Sequence, residues 1–392
     1  MFNRHITSEL RRLLTEYPVV TLLGARQVGK TTLAQSFLDG WNYCNLEDPQ
    51  TRRLAGEDPQ ALLADFSGPT IIDEIQRVPE LLSYIQVEVD AQRLNGRFVL
   101  TGSHQLMLRE AITQSLAGRT AILQLHPFSI AELREEGITF ATPYEYIYRG
   151  FLPRIYDQAQ RPTQAWSNYY RTYVERDVRQ LVNLKDATLF ENFMKLLAGR
   201  AGQIMDYTSL ANDTGVSATT IKQWLSILEV SFVIYKLPSY YNNFGKRVVK
   251  APKYYFMDTG LLAYLLGIEQ AEQIGRDPLM GQMFENLVIM ECVKSLANQG
   301  KHPTLYFFRD SNGTEIDVLF ETGRQLVAIE IKASMTYRST LLAGVNRLRT
   351  IAPHLGKAYL VYAGKPFRFS DGTSAIRYDQ VEQVFEGSYK NT

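Results

Sequence analysis

The sequence predicts a multidomain α/β protein, and three stretches carry that reading. In the first, the apolar run Val19 to Leu23 ends at Gly24, and Gly29-Lys30-Thr31-Thr32 then opens a helix-like segment through Leu38. This is G-x-x-x-x-G-K-T between a strand and a helix, where backbone N–H groups and a helix N-terminus cradle phosphates. The second is a helix-turn-helix cadence between Asp206 and Leu225. The third places Asp317 on one strand and Glu330-Ile331-Lys332 on the next. They predict a P-loop core over residues 1–160, a helical connector with a winged helix over 161–270, and a second α/β domain over 271–392.

The bulk properties bound the reading. With 392 residues, 45% of them hydrophobic, and a net charge of +1, the chain is neither disordered nor a polycation. Any nucleic-acid surface must therefore be local. Cys44 and Cys292 are the only cysteines, which argues against a disulfide framework or zinc cluster and fits a reducing cytosol. The start has no apolar core of signal-peptide type. No stretch approaches the ~20 apolar residues that span a bilayer. The expectation is a cytoplasmic protein without a membrane partner.

In chain order, Ile6, Leu10, Leu13 and Leu14 recur at helical spacing and predict a helix before the first strand. In the turn, Gly24, Ala25, Arg26, Gln27, Val28 and Gly29 would wrap the phosphates of a nucleotide. Lys30 would reach the β- and γ-phosphates, and Thr31, followed by Thr32, would offer its hydroxyl to Mg²⁺. Trp41 to Leu46 suits a short second strand, broken by Glu47-Asp48-Pro49. Pro69 to Ile75 then reads as a buried strand ending in two carboxylates, a Walker B arrangement. Asp73 would hold Mg²⁺, while Glu74 would orient and deprotonate the attacking water. Glu74 moves the expectation from nucleotide binding to hydrolysis.

Arg97 to His104 is another apolar strand ending in small hydroxyl residues. Ser103, with His104 as second choice, is the candidate to touch the γ-phosphate or its water; the alternative is a capped turn. Arg119, after Gly118 and before the strand Thr120 to Leu125, would reach a neighbour's γ-phosphate as an arginine finger. It would otherwise be a surface arginine or part of an intramolecular salt bridge.

These motifs, with Gly150-Phe151-Leu152-Pro153-Arg154 and Tyr169 to Val178, resemble a large family of bacterial and archaeal AAA+-type ATPases. Its members join this core to a C-terminal domain of unknown function. The resemblance spans essentially the whole chain. It implies ATP and Mg²⁺ as cofactors, Ser103 as the sensor-1 residue, and a homo-oligomer, a ring such as a hexamer.

Between Arg161 and Leu197 the pattern is helical, with Arg171, Glu175, Arg176, Asp177 and Arg179 three or four apart. Such charges either pair on an exposed face or face the nucleotide or a neighbouring subunit. Next, a helix stops near Gly215, Ser217 N-caps the following one, and Leu210, Ala211, Val216, Ile221, Leu225 and Leu228 supply a small core. Strands at Phe232 to Leu237 and Lys253 to Met257 would flank a wing carrying Lys246, Arg247, Lys250 and Lys253, near Tyr240, Tyr241 and Phe244. With Lys222 on the second helix, these cations suit a phosphate backbone. Winged helices also serve purely as protein-packing modules.

In the last block, Glu285 stands near the start of an amphipathic helix, and Glu330 and Lys332 share one face of a strand. With Asp317 they resemble the PD-(D/E)XK nuclease constellation of a restriction-endonuclease-like α/β domain. By that resemblance Asp317, Glu330 and Glu285 would bind Mg²⁺ and Lys332 would position the attacking hydroxide. The same fold also serves only to bind nucleic acid, and the charged groups could instead satisfy one another as a structural ion cluster. The leading expectation is an ATP-driven enzyme that moves, remodels or processes DNA, duplex or branched. The rival is a nucleotide-switched regulator or stress-response module acting on a protein.

Overall fold

The computed structural model describes residues 2–103, 112, 114–181, 186–240, 250–323, 325–352 and 354–386, apart from the side chains of Asp177, Gln180 and Glu386. The chain forms two compact units. One comprises Met1–Phe128, Val230–Phe232 and Ala297–Lys301; the other comprises Ser129–Glu229, Val233–Leu296 and His302–Thr392.

The first unit is built on five strands: β1 (Val19–Leu23), β2 (Asn42–Asn45), β3 (Thr70–Asp73), β4 (Phe98–Gly102) and β5 (Thr120–Gln124). All pairings are parallel, in the order β2-β3-β4-β1-β5. Strands covered on both faces need apolar side chains throughout, and β1, β3 and β4 are buried along their whole length. The helix Thr7–Glu16 sends Leu10 and Leu13, with Ile6, into the same core. Asp48 and Asp58 cap the helices Pro49–Glu57 and Pro59–Ala64, each with proline at its start. The order has one functional consequence. Because β1 pairs with β4 and β5 rather than with β3, β4 lies between the strand that feeds the glycine-rich turn and the strand that ends in Asp73. Three strand ends therefore converge where open parallel sheets place ligands, outside the carboxyl ends.

In the second unit, the motif around Gly150 and the later Asp258-Thr259-Gly260-Leu261 are one construction. Asp258 caps the helix Thr259–Leu265 through the Gly260 amide at 2.9 Å and also accepts the Phe151 amide at 2.9 Å. Gly150 adopts φ 66°, and a Cβ there would collide with Asp258 and Trp166, so glycine is required. Beyond it, the helix Pro162–Tyr169 widens into a π-helical stretch, Tyr170–Val178, that buries Tyr173, Val174 and Val178.

The helix Tyr207–Thr214 ends at Gly215, in the left-handed region at φ 79°, and Ala218–Val230 follows. Leu210, Ala211, Ile221, Leu225 and Leu228 are buried between them, while Val216 is half-buried. β6 (Ile234–Leu237) and β7 (Lys253–Phe256) then pair antiparallel. Tyr241, Phe244, Lys246 and Arg247 lie outside the described residues, as does His104. The helix Met280–Ala297 leads to a six-stranded mixed sheet of β8 (Tyr306–Arg309), β9 (Glu315–Thr322), β10 (Gln325–Lys332), β11 (Leu355–Tyr362), β12 (Phe367–Arg368) and β13 (Ser374–Arg377). Its order is β12-β13-β11-β10-β9-β8, with β10–β11 and β11–β13 parallel.

Candidate functional site

The glycine-rich turn leaves β1 at Gly24, where a Cβ would collide with the Leu125 carbonyl. Gln27 at φ 65° and Gly29 at φ 92° both turn left-handed, curling the backbone ahead of the helix Lys30–Phe37. Ala25 and Val28 are buried, Arg26 is half-buried, and Gln27 and Thr32 are exposed. Lys30 is buried, and its Nζ donates to the carbonyls of Gly24 at 3.0 Å and Ala25 at 2.8 Å. Burial pushes its ammonium down to about 8, with Glu74 and Asp73 pulling it back up. An anion beside it would restore the charge.

Thr31 and Asp73, far apart in sequence, meet here: Thr31 Oγ1 donates to the two carboxylate oxygens at 3.1 and 3.0 Å. Two further hydroxyls reach the same carboxylate, Tyr43 at 2.8 Å and Thr101. A carboxylate ringed by hydroxyls is the hard oxygen donor set that Mg²⁺ takes. Thr31 and Asp73 fit the ion, which when bound would neutralise phosphate oxygens.

Glu74 stands immediately beyond β3 at φ 58°, an uncommon conformation for a residue with a side chain. Its amide donates to Thr101 Oγ1 at 3.1 Å. Its carboxylate Oε2 accepts from the Gln76 side-chain amide, which also donates to Ser103 Oγ at 3.1 Å. Ser103, fully buried just past β4, lies 3.4 Å from the same Glu74 oxygen. The structure thus gathers Lys30, Thr31, Asp73, Glu74 and Ser103 in one place. Tyr43, Gln76 and Thr101 belong to it too, and sequence reasoning missed all three. The available signal was weak: Tyr43 and Thr101 are polar residues within strands, and Gln76 follows shortly after one.

Arg119 is elsewhere engaged. Its Nε and Nη2 form a two-pronged pair with Asp90 of the helix Leu81–Gln92, at 2.6 and 2.8 Å, and Nη1 donates to the Ala117 carbonyl.

The second unit holds a different gathering. Lys253, expected on a wing facing phosphate, is instead buried, which corrects the sequence reading. It lies in β7, all four of whose residues are buried, and its Nζ reaches Glu285 at 3.1 Å and Glu315 at 2.7 Å. Tyr255 also donates its hydroxyl to Glu285, at 2.5 Å. Asp317 accepts from the Ile331 amide at 2.7 Å and from Lys332 at 3.3 Å, and Lys332 meets Glu330 Oε1 at 2.7 Å. Glu330 Oε2 is buried without a hydrogen-bond partner. Burial and Asp317 push Glu285 and Glu330 above the usual carboxylate range, with Lys253 and Lys332 respectively pulling them down.

Among the described residues, no three of His, Cys, Asp or Glu are arranged to hold a metal ion. In this structure Glu285 pairs with Lys253, and Asp317 and Glu330 pair with Lys332. Lys222 and Lys250 are exposed, with Lys222 Nζ 5.1 Å above the Tyr207 ring.

Comparison with known proteins matches the parts of the chain separately. Residues 16–134 match the AAA domain family, 141–272 a domain of unknown function (DUF8612), and 280–381 a domain of unknown function (DUF4143). The chain is 31% identical over 383 residues to the uncharacterized protein Rv2008c of Mycobacterium tuberculosis, covering 96% of this chain and 84% of that one. An uncharacterized protein of Haemophilus influenzae is 26% identical over 310 residues, 70% of this chain and 74% of that one. Among solved structures, the Walker-type ATPase PABY2304 of Pyrococcus abyssi aligns over 68% of this chain and 96% of its own, at 17% identity and TM-score 0.42. No helix among the described residues is long and apolar enough to cross a membrane. With an AAA domain ahead of a DUF4143 domain, and a relative of that identity along nearly its whole length, the chain belongs to the P-loop ATPase family that includes Rv2008c.

Proposed function

We propose that the chain is a Mg²⁺-dependent ATP hydrolase that couples turnover to DNA. The observation that carries the hydrolase is the meeting of Thr31 with Asp73 beside a carboxylate, Glu74, that is held by Gln76. Lys30 and the backbone of the turn would hold the β- and γ-phosphates, and Thr31 and Asp73 would hold the ion. Glu74 then takes a proton from water as the water oxygen bonds to the γ-phosphorus. The bond from that phosphorus to the β,γ-bridging oxygen breaks, giving ADP and phosphate. Each chain carries this set itself; Arg119 would serve a neighbour in an oligomer only after leaving Asp90.

DNA is supported by the helix-turn-helix with exposed Lys222 and by exposed Lys250. A cut in DNA would fall to Asp317, Glu330 and Lys332, which lie together, while Lys253 pairs with Glu285 in the same cluster. A second reading, a nucleotide-switched regulator of a protein partner, gains from the burial of Lys253, which removes one cation from the supposed DNA face.

The test is ATP turnover by wild type, Lys30→Ala and Glu74→Gln, each with and without duplex, branched and single-stranded DNA. Lys30→Ala should lose nucleotide binding, and Glu74→Gln should bind ATP yet turn over ~10²-fold or more slowly. Stimulation by DNA supports the coupling; slow turnover blind to all three DNAs selects the regulator. A Glu74→Gln protein at the wild-type rate would overturn the hydrolase assignment.

A further inference from the structure

We infer that Gln76 is a positioning residue for the hydrolytic step, a bridge that fixes the base Glu74 against Ser103; this rests on the hydrolase reading above. Gln76 lies in the short 3₁₀ turn Ile75–Arg77 directly after the acidic pair. Its side-chain nitrogen donates to Glu74 Oε2 and, at 3.1 Å, to Ser103 Oγ, while Ser103 Oγ lies 3.4 Å from that same carboxylate oxygen. Three side chains from the ends of β3 and β4 thus close a ring. The amide's orientation is dictated by its neighbour: an ionised carboxylate only accepts, so nitrogen rather than oxygen must face it.

The arrangement has a cost that points to its purpose. The Gln76 amide oxygen is buried without a partner, and an unsatisfied buried acceptor destabilises a fold. A methionine of similar size would avoid that penalty. What only the glutamine adds is the pair of donated bonds.

Their effect on the base is specific. The backbone of Glu74, left-handed and tied through its amide to Thr101, sets where the side chain leaves the strand. The terminal carboxylate torsion remains a broad, roughly two-fold rotor. Gln76 stops that rotor by engaging Oε2, which leaves Oε1 to accept the proton of the attacking water. Ser103, at the end of β4, shares the same amide, so a displacement of its hydroxyl toward a bound phosphate is felt at the base. Gln76 need not touch the nucleotide for this.

The experiment is a double-mutant cycle on the full-length chain with Gln76→Met and Ser103→Ala. For each variant, kcat and KM for ATP, affinity for a non-hydrolysable ATP analogue, and the thermal melt are measured. Gln76→Met should lower kcat about 10- to 10²-fold, the scale of a misplaced catalytic group, while KM and analogue affinity stay within about twofold. The double variant should be no slower than the slower single, because both changes break one ring. Gln76→Glu, which keeps the length but replaces a donor with an acceptor, should be slower than Gln76→Met and serves if the methionine variant melts early. A Gln76→Met kcat within twofold of wild type, or losses that multiply in the double variant, would overturn the bridge. If turnover is unaffected by Glu74→Gln, the hydrolase reading itself fails. If turnover needs Glu74 but ignores Gln76, only the bridge fails.

Discussion

The two gatherings both set lysine beside carboxylates, yet they are wired oppositely. In the first unit, Lys30 gives its hydrogen bonds to the carbonyls of Gly24 and Ala25, and Asp73 receives the hydroxyls of Thr31, Tyr43 and Thr101. In the second, each lysine lies between two carboxylates: Lys253 between Glu285 and Glu315, and Lys332 between Asp317 and Glu330. A carboxylate whose partners are hydroxyls keeps its charge available to a cation. One paired with lysine already has its cation built in. Sequence patterns report which groups are present; what each group is bonded to decides whether the site awaits a ligand.

The largest expected effect comes from removing the built-in cation. Lys253→Met leaves half-buried Glu285 and Glu315 without the buried cation, and breaking a buried pair from one side costs about 3–5 kcal/mol. Chemical denaturation should show the second unit unfolding earlier, with ATP turnover in the first unit retained at low denaturant. A variant as stable as wild type would mean that these carboxylates do not depend on Lys253.

Where the backbone dictates the chemistry, the sequence was legible. The strand ending at Gly24, the left-handed Gly29 and the helix from Lys30 follow from local rules, and so does the buried strand that ends in Asp73. The two helices Tyr207–Thr214 and Ala218–Val230 were legible for the same reason, with Gly215 stopping one before the next. Gln76, Tyr43 and Thr101 were not, because their roles depend on which strands are neighbours. β4 lies between β1 and β3, and that order brings Thr101 and Ser103 to the acidic pair. Lys253 was misread because its sequence neighbours, Lys246, Arg247 and Lys250, suggest an exposed basic loop. Its strand is buried throughout, so alternation gave no warning. Gly150 stood out only by resemblance; its physical reason, the capping carboxylate of Asp258 that excludes any Cβ at residue 150, appears only in three dimensions.

A smaller effect sharpens the contrast between the lysines. Burial lowers Lys30 to about 8, whereas Lys332, also pulled down by burial, is held above its usual range by Asp317 and Glu330. The folded, nucleotide-free protein thus binds fewer protons at Lys30 than the unfolded chain does between about pH 8 and pH 10.5. The contribution of Lys30 to stability therefore rises with pH across that window. A bound triphosphate favours the charged form, so nucleotide binding should take up about half a proton at pH 8, and less toward pH 7. Titration calorimetry in two buffers of different ionisation enthalpy reads this directly. No uptake at pH 8 would mean that Lys30 is already fully charged before the nucleotide arrives.

The smallest effect separates two lysines that the sequence placed on one surface. Lys222 is exposed on the helix Ala218–Val230, its Nζ 5.1 Å above the Tyr207 ring, whereas Lys253 is enclosed with Glu285 and Glu315. A cation on a DNA phosphate releases counterions, contributing ~0.9 to the slope of log affinity against log salt. A cation already paired inside the fold releases none. Lys222→Ala should therefore flatten the salt dependence of duplex binding by about one phosphate contact, with its denaturation midpoint unchanged. Lys253→Met should do the reverse, shifting the midpoint while leaving the slope of the folded fraction intact. If Lys222→Ala keeps the wild-type slope, DNA is held elsewhere on the chain, and the helix-turn-helix is then a packing module whose ATPase acts on something other than the duplex presented to it.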